Sequence, residues 1–329
     1  IRIFRHQAKL GNQKGWYKMK IKPGMHVVIL MGGIGSEREI SLKSGQACSN
    51  ALKENGFKVT ELDFNSSIIN KLISLKPDVC FNALHGHYGE DGNIQGLLNI
   101  LKIPYTHSGV FASAIAMHKI HFKKLITKVT ENMINPICFP KTLEFKEGNF
   151  LSVKDYNGPY VIKPINGGSS VGVLIIKNNN EAPTKNKWPI NNNLMAENLV
   201  GTRELTVTVL KERPLCVTEI ETGKENDFYN YNAKYKNGRS FHQLPAKIPN
   251  LTSQKAMEWA LNAHKIIGCN GISRSDFRYD PVDDELFMLE INTQPGMTKT
   301  SLAPEQAAFC KIDMIKMVKI LIEEAKYEC

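Results

Sequence analysis

Acid and amide side chains recur at a spacing of two near the C-terminal end of the sequence. Arg274 and Asp276 sit in 273–276, and Glu290 and Asn292 in 290–297. On a strand, side chains two apart share a face. The stretch between, Tyr-Asp-Pro-Val-Asp-Asp-Glu at 279–285, is rich in turn formers and lets two strands pair as a hairpin. Pairing with those faces aligned would gather Asp276, Glu290 and Asn292 into one all-oxygen cluster with Arg274 beside it. Such hard donors suit Mg²⁺, which also binds substrate phosphates. The plain alternative is a solvated polar face. Against it, Leu286, Phe287, Met288, Leu289 and Ile291 read as buried strand, where acids are costly unless paired or metal-bound.

Four further stretches could do chemistry. Lys163 ends an apolar strand and opens Lys-Pro-Ile-Asn-Gly-Gly-Ser-Ser-Val-Gly at 163–172, a loop whose amides could cradle phosphate while the lysine adds charge. It is not a Walker A loop, and a hairpin turn is the plain reading. Glu197 and Glu204 flank an apolar linker at 198–203; acids can hold ribose hydroxyls and a linker backbone can read an adenine edge. Clustered tyrosines and a lysine at 229–235 suit a lid. Gly32–Gly35 follows a strand and precedes a helix, like a dinucleotide-binding turn, but Arg38 stands where a third glycine belongs. Glu37, in that helix's first turn, either complements the helix dipole or projects into a cleft toward an ammonium. His85 opens a glycine-rich strand-end loop at 85–92.

These residues need scaffolds. An apolar strand at 26–31, a helix opened by Ser36 and Glu39 at capping-box spacing and ending near 55–56, a strand at 57–62, a short helix at 68–75 and a strand at 77–84 alternate as in a parallel α/β sheet. Ligands gather at the carboxyl ends of such strands, where both glycine-rich turns lie. The pattern changes near 108–109. A helix is expected over 112–129, strands at 160–163 and 171–176, polar loops at 178–180 and 191–193, then strands from 205 and helices at 253–267 and 304–326. Three lobes with clefts between them are the expectation: 23–108, 109–200 and 201–329, after a peripheral basic leader at 1–22.

The chain has 329 residues, 42% hydrophobic and 22% charged, ordinary for a soluble enzyme. Its net charge of +10 would suit a nucleic-acid partner, but seven of those charges precede the first acid, Glu37, leaving +3 for the remainder. No nucleic-acid partner is therefore expected. No apolar run approaches the ~18 residues of a membrane span, so no membrane partner is expected either. Seven scattered cysteines without a Cys-x-x-Cys fit reduced thiols, not a disulfide frame or a zinc site.

Taken together and in order, the segments resemble the D-alanine–D-alanine ligases of the ATP-grasp superfamily. The matching residues are Gly32-Gly33, Ser36 to Glu39, Ser41-Leu42, Ala83 to Gly86, Gly89 to Gly92, Pro104-Tyr105, Ser108-Gly109, Lys163-Pro164, Gly168 to Gly172, Ala233 to Tyr235, Arg274, Asp276, Glu290, Asn292-Thr293, Pro295 to Thr298 and Ser301-Leu302. The resemblance implies an ATP-grasp fold preceded by a Rossmann-like parallel sheet domain. It also implies a cytoplasmic enzyme, typically a homodimer, that joins two D-alanines with ATP for peptidoglycan precursor synthesis, through a D-alanyl phosphate. By the same resemblance, Lys119, Lys163 and Ser170 hold nucleotide phosphates, Glu197, the backbone near Leu199 and Glu204 hold adenosine, and Lys234 reaches the γ-phosphate. Asp276, Glu290 and Asn292 bind two Mg²⁺ (or Mn²⁺). Glu37, with Ser169 and Tyr235, holds the first D-alanine's ammonium. Arg274 and the Gly296 N–H stabilise the oxyanion. Ser301, with Leu302 nearby, docks the second D-alanine's carboxylate, and His85 orients that substrate. Gly167, Asn232, Leu244 and Ser273 depart from the commonest family pattern without removing a ligand.

Two unrelated readings compete. A nicotinamide dehydrogenase built on Gly32–Gly35, with Asp63 on the ribose, leaves the Glu290–Asn292 strand unexplained. A basic nucleic-acid-binding protein conflicts with the +3 balance. Within the family, a D-alanine–D-lactate ligase is the near alternative. Ligases that make depsipeptide tend to carry Phe where this chain has Tyr235, which favours the dipeptide.

Overall fold

The structure, a computed structural model, describes residues 19–143, 158–168, 172–177, 193–222 and 240–328. The first apolar run forms β1 (His26–Met31), followed by α1 (Arg38–Lys53), β2 (Lys58–Asp63), α2 (Ile68–Leu75) and β3 (Val79–Asn82). These strands pair in parallel in the order β2-β1-β3. Every residue of β1 is buried. Val27 and Ile29 join one apolar cluster with Leu52 and Phe81, while Val28 and Leu30 join another with Leu72 and Leu98. Burial on both faces explains why the strand reads as an unbroken apolar run.

The helix expected over 112–129 is two helices. After α3 (Asn93–Ile100) come α4 (Val110–Met117) and α5 (Lys119–Thr130). His118 leaves helical geometry at φ −95°, ψ 89°, and its side chain accepts the His121 N–H, capping the second helix. The break puts Lys119 on a helix's first residue. The Ser36/Glu39 capping box does not form either. The N-cap of α1 is Glu37, without a side-chain cap bond.

A four-stranded antiparallel sheet, in the order β4-β7-β5-β6, comprises β4 (Thr142–Leu143), β5 (Tyr160–Pro164), β6 (Leu174–Ile176) and β7 (Leu194–Asn198). A five-stranded sheet runs β10-β9-β8-β11-β12: β8 (Arg203–Leu210), β9 (Arg213–Thr222), β10 (Ser240–Gln243), β11 (Ile272–Asp280) and β12 (Glu285–Asn292). Its apolar face, with Val207, Phe277 and Met288, packs on Trp259 of α6 (Asn250–Ile266).

The helical region expected at 304–326 is also divided, into α7 (Leu302–Phe309) and α8 (Met314–Glu323). Met317, Val318, Leu321 and Ile322 of α8 join the cluster of Val27 and Ile29, so the C-terminal helix covers the first sheet. Buried side chains bind these parts together. Asn82, at the end of β3, exchanges hydrogen bonds with Gln294 after β12, and Gln306 of α7 accepts from Thr208 N–H at 2.8 Å. No helix among the described residues is long and apolar enough to cross a membrane, and the six described cysteines are free thiols.

Candidate active site

β11 and β12 pair antiparallel with Asp276 opposite Glu290 and Arg274 opposite Asn292. The register then shifts, so that Phe277 faces Met288 and Leu289 is the extra residue of a bulge. Leu289 and Glu290 thereby both line the cleft. Arg274 grips Asp276 with both arms, Nε to Oδ1 at 2.8 Å and a terminal nitrogen to Oδ2 at 2.7 Å, and Thr206 Oγ1 donates to Oδ1 at 2.8 Å. Glu290 Oε2 lies 3.3 Å from Lys119 Nζ. Asn292 Oδ1 accepts the Gln294 N–H at 2.6 Å and keeps a second lone pair.

This donor set fits magnesium. Two adjacent carboxylates and an amide oxygen are hard donors, and none is a thiolate or imidazole. Among the described residues no group of three His, Cys, Asp or Glu side chains could hold a metal, so these residues form a partial shell. Mg²⁺ accepts such a shell when nucleotide phosphates and water complete it.

A cleft open to solvent lies above the hairpin. Lys119, Lys163, Glu197, Leu199, Glu204 and Glu290 all line it. Lys119 Nζ donates to the Gly167 carbonyl at 2.6 Å and its N–H to Ile165 at 3.1 Å, which holds α5 against the glycine loop. Glu197 is buried and bonds both Lys163 and Lys123. Burial alone would raise the Glu197 carboxyl, but the two ammonium groups hold it below its usual range. Two cations share one anion, and burial pushes the Lys123 ammonium down to about 8.

Sequence reasoning missed Lys123. The signal was its spacing of four from Lys119, which puts both on one helix face. It also missed Arg278, which donates to the Val200 carbonyl at 3.3 Å and Gly201 at 2.8 Å and lies 3.7 Å from Glu204. The linker's own amides qualify the reading at Leu199. Asn198 donates to Lys141 and Leu199 to Pro159, both at 3.0 Å. The Leu199 N–H is thus already engaged, and Val200, also lining the cleft, is the next linker amide.

Near Gly168, which lines the cleft, the Glu37 side chain turns toward two glycines. A Cβ on Gly86 would meet Glu37 Oε2 at 2.5 Å, and one on Gly168 would lie 3.6 Å from it and 4.0 Å from Glu90 Oε2. His85 is buried between Ser44, at 3.0 Å from Nε2, and Glu90, at 3.3 Å from Nδ1. In the loop after β12, the Ser301 hydroxyl accepts the Thr298 N–H at 3.1 Å and contacts Thr298 Oγ1 at 2.7 Å. A Cβ on Gly296 would come within 2.9 Å of it. Leu302, the first residue of α7, is buried against Ile220. Ser169, Ser170, Lys234 and Tyr235 lie outside the described residues.

The dinucleotide reading of Gly32–Gly35 fails. Arg38 bonds both oxygens of Asp63, at 2.6 and 2.5 Å, and a side chain on Gly32, whose φ is +76°, would collide with that carboxylate. The acid expected at a ribose is committed to closing the turn.

Comparison with known proteins follows the same residues. The family model described as D-ala D-ala ligase C-terminus matches residues 142–323, and the one described as D-ala D-ala ligase N-terminus matches 65–108. The chain is 45% identical to the D-alanine–D-alanine ligase of Methylocella silvestris, over 91% of this chain and 98% of that protein. It is 48% identical to the D-alanine–D-alanine ligase of Zymomonas mobilis, over 92% and 94%. The fold is similar to that of the D-alanine–D-alanine ligase from Bacillus anthracis complexed with ATP, with a TM-score of 0.77 at 25% identity, covering 91% of this chain and 97% of that one. It is also similar to a D-Ala:D-Ser ligase from Enterococcus faecalis, with a TM-score of 0.75 at 25% identity, covering 91% and 98%.

Proposed function

The chain belongs to the D-alanine–D-alanine ligase family, and from that premise we propose how its residues carry out the ATP-dependent joining of two D-alanines for peptidoglycan synthesis. The observation that carries the reading is the cross-strand pair Asp276–Glu290 facing a lysine-lined cleft. Lys119 and Lys163 bind nucleotide phosphates, with Ser170 and Lys234 completing the grip. Glu197, Glu204 and the Val200 amide hold adenosine, and Arg278 fixes the linker. Asp276, Glu290 and Asn292 hold Mg²⁺ or Mn²⁺. When bound, the metal neutralises phosphate charge during phosphoryl transfer.

Glu37, with Ser169 and Tyr235, holds the first D-alanine's ammonium so that its carboxylate meets the γ-phosphate. That carboxylate displaces ADP and becomes an acyl phosphate, a far better acyl donor. Ser301, at the start of α7, receives the second D-alanine's carboxylate, a favoured place for an anion. The free amine attacks the acyl carbon, and Arg274 and the Gly296 N–H stabilise the oxyanion. Phosphate then leaves. Closure of the 228–250 segment excludes water from the acyl phosphate; most of that segment lies outside the described residues. The lobes 23–108, 109–200 and 201–329, a peripheral leader at 1–22, a homodimer and a cytoplasmic location complete the proposal.

Purified protein with ATP and Mg²⁺ should release phosphate with D-alanine and not with L-alanine. Equal release with both would refute the substrate assignment. The second nucleophile is decided by competition near neutral pH: D-alanine should outcompete D-lactate, and Tyr235→Phe should move the balance toward D-lactate. Wild type favouring D-lactate would reverse the reading.

Nucleotide grip gives a further expectation. Lys163→Ala removes one charge-assisted contact, worth ~1.5–3 kcal/mol, so ATP should bind roughly ten- to a hundredfold more weakly. Isothermal titration checks this, and an unchanged dissociation constant would remove Lys163 from the phosphate site.

A further inference from the structure

Ser44 has no part in the reaction as set out above, yet it is fully buried between two of its components. It lies on α1, in the first lobe. Its hydroxyl accepts the N–H of Met297, 253 residues away, at 3.1 Å, and lies 3.0 Å from His85 Nε2. His85 Nδ1 in turn lies 3.3 Å from Glu90 Oε1.

Hydrogen-bond accounting orders this chain. Met297 N–H can only donate, so the Ser44 hydroxyl oxygen accepts from it. The Ser44 hydroxyl and the Glu90 carboxyl group hold the two ring nitrogens of His85 between them. Both ring nitrogens are then engaged within the protein. His85 thereby ties Ser44 of α1 to Glu90.

The loop after β12 is fixed by the same accounting. Gln294 N–H goes to Asn292, Met297 N–H to Ser44 and Thr298 N–H to Ser301. Pro295 has no N–H. Gly296 lies between these anchored amides, so its own N–H takes its direction from them.

We propose that Ser44 is a positioning residue for the ligation step: it clamps the Gly296–Met297 peptide onto the His85–Glu90 pair and so aims the Gly296 amide at the reacting carbonyl. The proposal rests on Gly296 serving as an oxyanion donor. Removing the Ser44 hydroxyl leaves a buried amide and an imidazole nitrogen without partners and loosens the loop, while the phosphate cleft stays intact. The acyl phosphate should then form but be captured poorly by the second D-alanine, and lose phosphate to water.

The test is Ser44→Ala in the full chain, with Ser44→Thr as the variant that retains a hydroxyl. Dipeptide and phosphate are measured together, with the KM for ATP and the melting temperature. For Ser44→Ala we expect kcat/KM for the second D-alanine to fall about tenfold or more. Phosphate released per dipeptide should rise above one, with the KM for ATP within twofold of wild type. Ser44→Thr should return the ratio toward one. If Ser44→Ala keeps the wild-type ratio, whether active or merely less stable, the clamp is overturned. If wild type makes no dipeptide, the family reading fails instead, and the two failures are told apart by that control.

Discussion

Glu290→Gln should lower turnover by more than about a hundredfold while leaving the fold intact. Glu290 stands opposite Asp276 on the hairpin and 3.3 Å from Lys119 Nζ. The amide keeps the side chain's size and one oxygen, so packing is preserved. What it loses is the negative charge that holds a divalent cation against nucleotide phosphates. Raising Mg²⁺ should recover part of the activity, because the defect lies in metal affinity. Circular dichroism and melting temperature should match wild type. Near-normal turnover at ordinary Mg²⁺ would remove Glu290 from the metal site.

Arg274 gives the second large effect. Its guanidinium forks onto Asp276 and is only partly exposed. An oxyanion donor is worth roughly 10²–10³ in kcat. Arg274→Lys keeps the charge but cannot reproduce the planar fork. We expect kcat to fall at least tenfold for Arg274→Lys and about a hundredfold or more for Arg274→Met, with the KM for ATP little changed. A loss confined to the KM for ATP would make Arg274 a partner of Asp276 and no more.

The hairpin was legible because its signal is local. Period-two acids and amides flank turn formers, and the paired register brings Asp276 opposite Glu290. The parallel sheet was legible for the same reason, an unbroken apolar strand followed by an amphipathic helix. The bulge at Leu289 was not, since it depends on how β12 meets its neighbour. The break at His118 hides inside an apolar run, and its cap is a histidine, a residue outside the usual N-cap set. The capping box at Ser36 and Glu39 misled because the helix starts one residue later, with Glu37 as an N-cap that makes no side-chain cap bond. Lys123 and Arg278 carry ordinary surface residue types. Only tertiary packing shows that one pairs with a buried glutamate and the other holds a linker. The Ser44–Met297 contact has no sequence signature at all, because nothing local joins residues so far apart.

The most direct test of the central claim follows an oxygen atom. D-alanine labelled with ¹⁸O in its carboxylate is incubated with the protein, ATP and Mg²⁺, and the released phosphate is analysed by mass spectrometry. If the carboxylate attacks the γ-phosphate and the amine then displaces phosphate from the acyl carbon, one ¹⁸O reaches phosphate for each D-alanyl-D-alanine formed. Dipeptide appearing with unlabelled phosphate, or labelled D-alanine giving no dipeptide, would contradict the account.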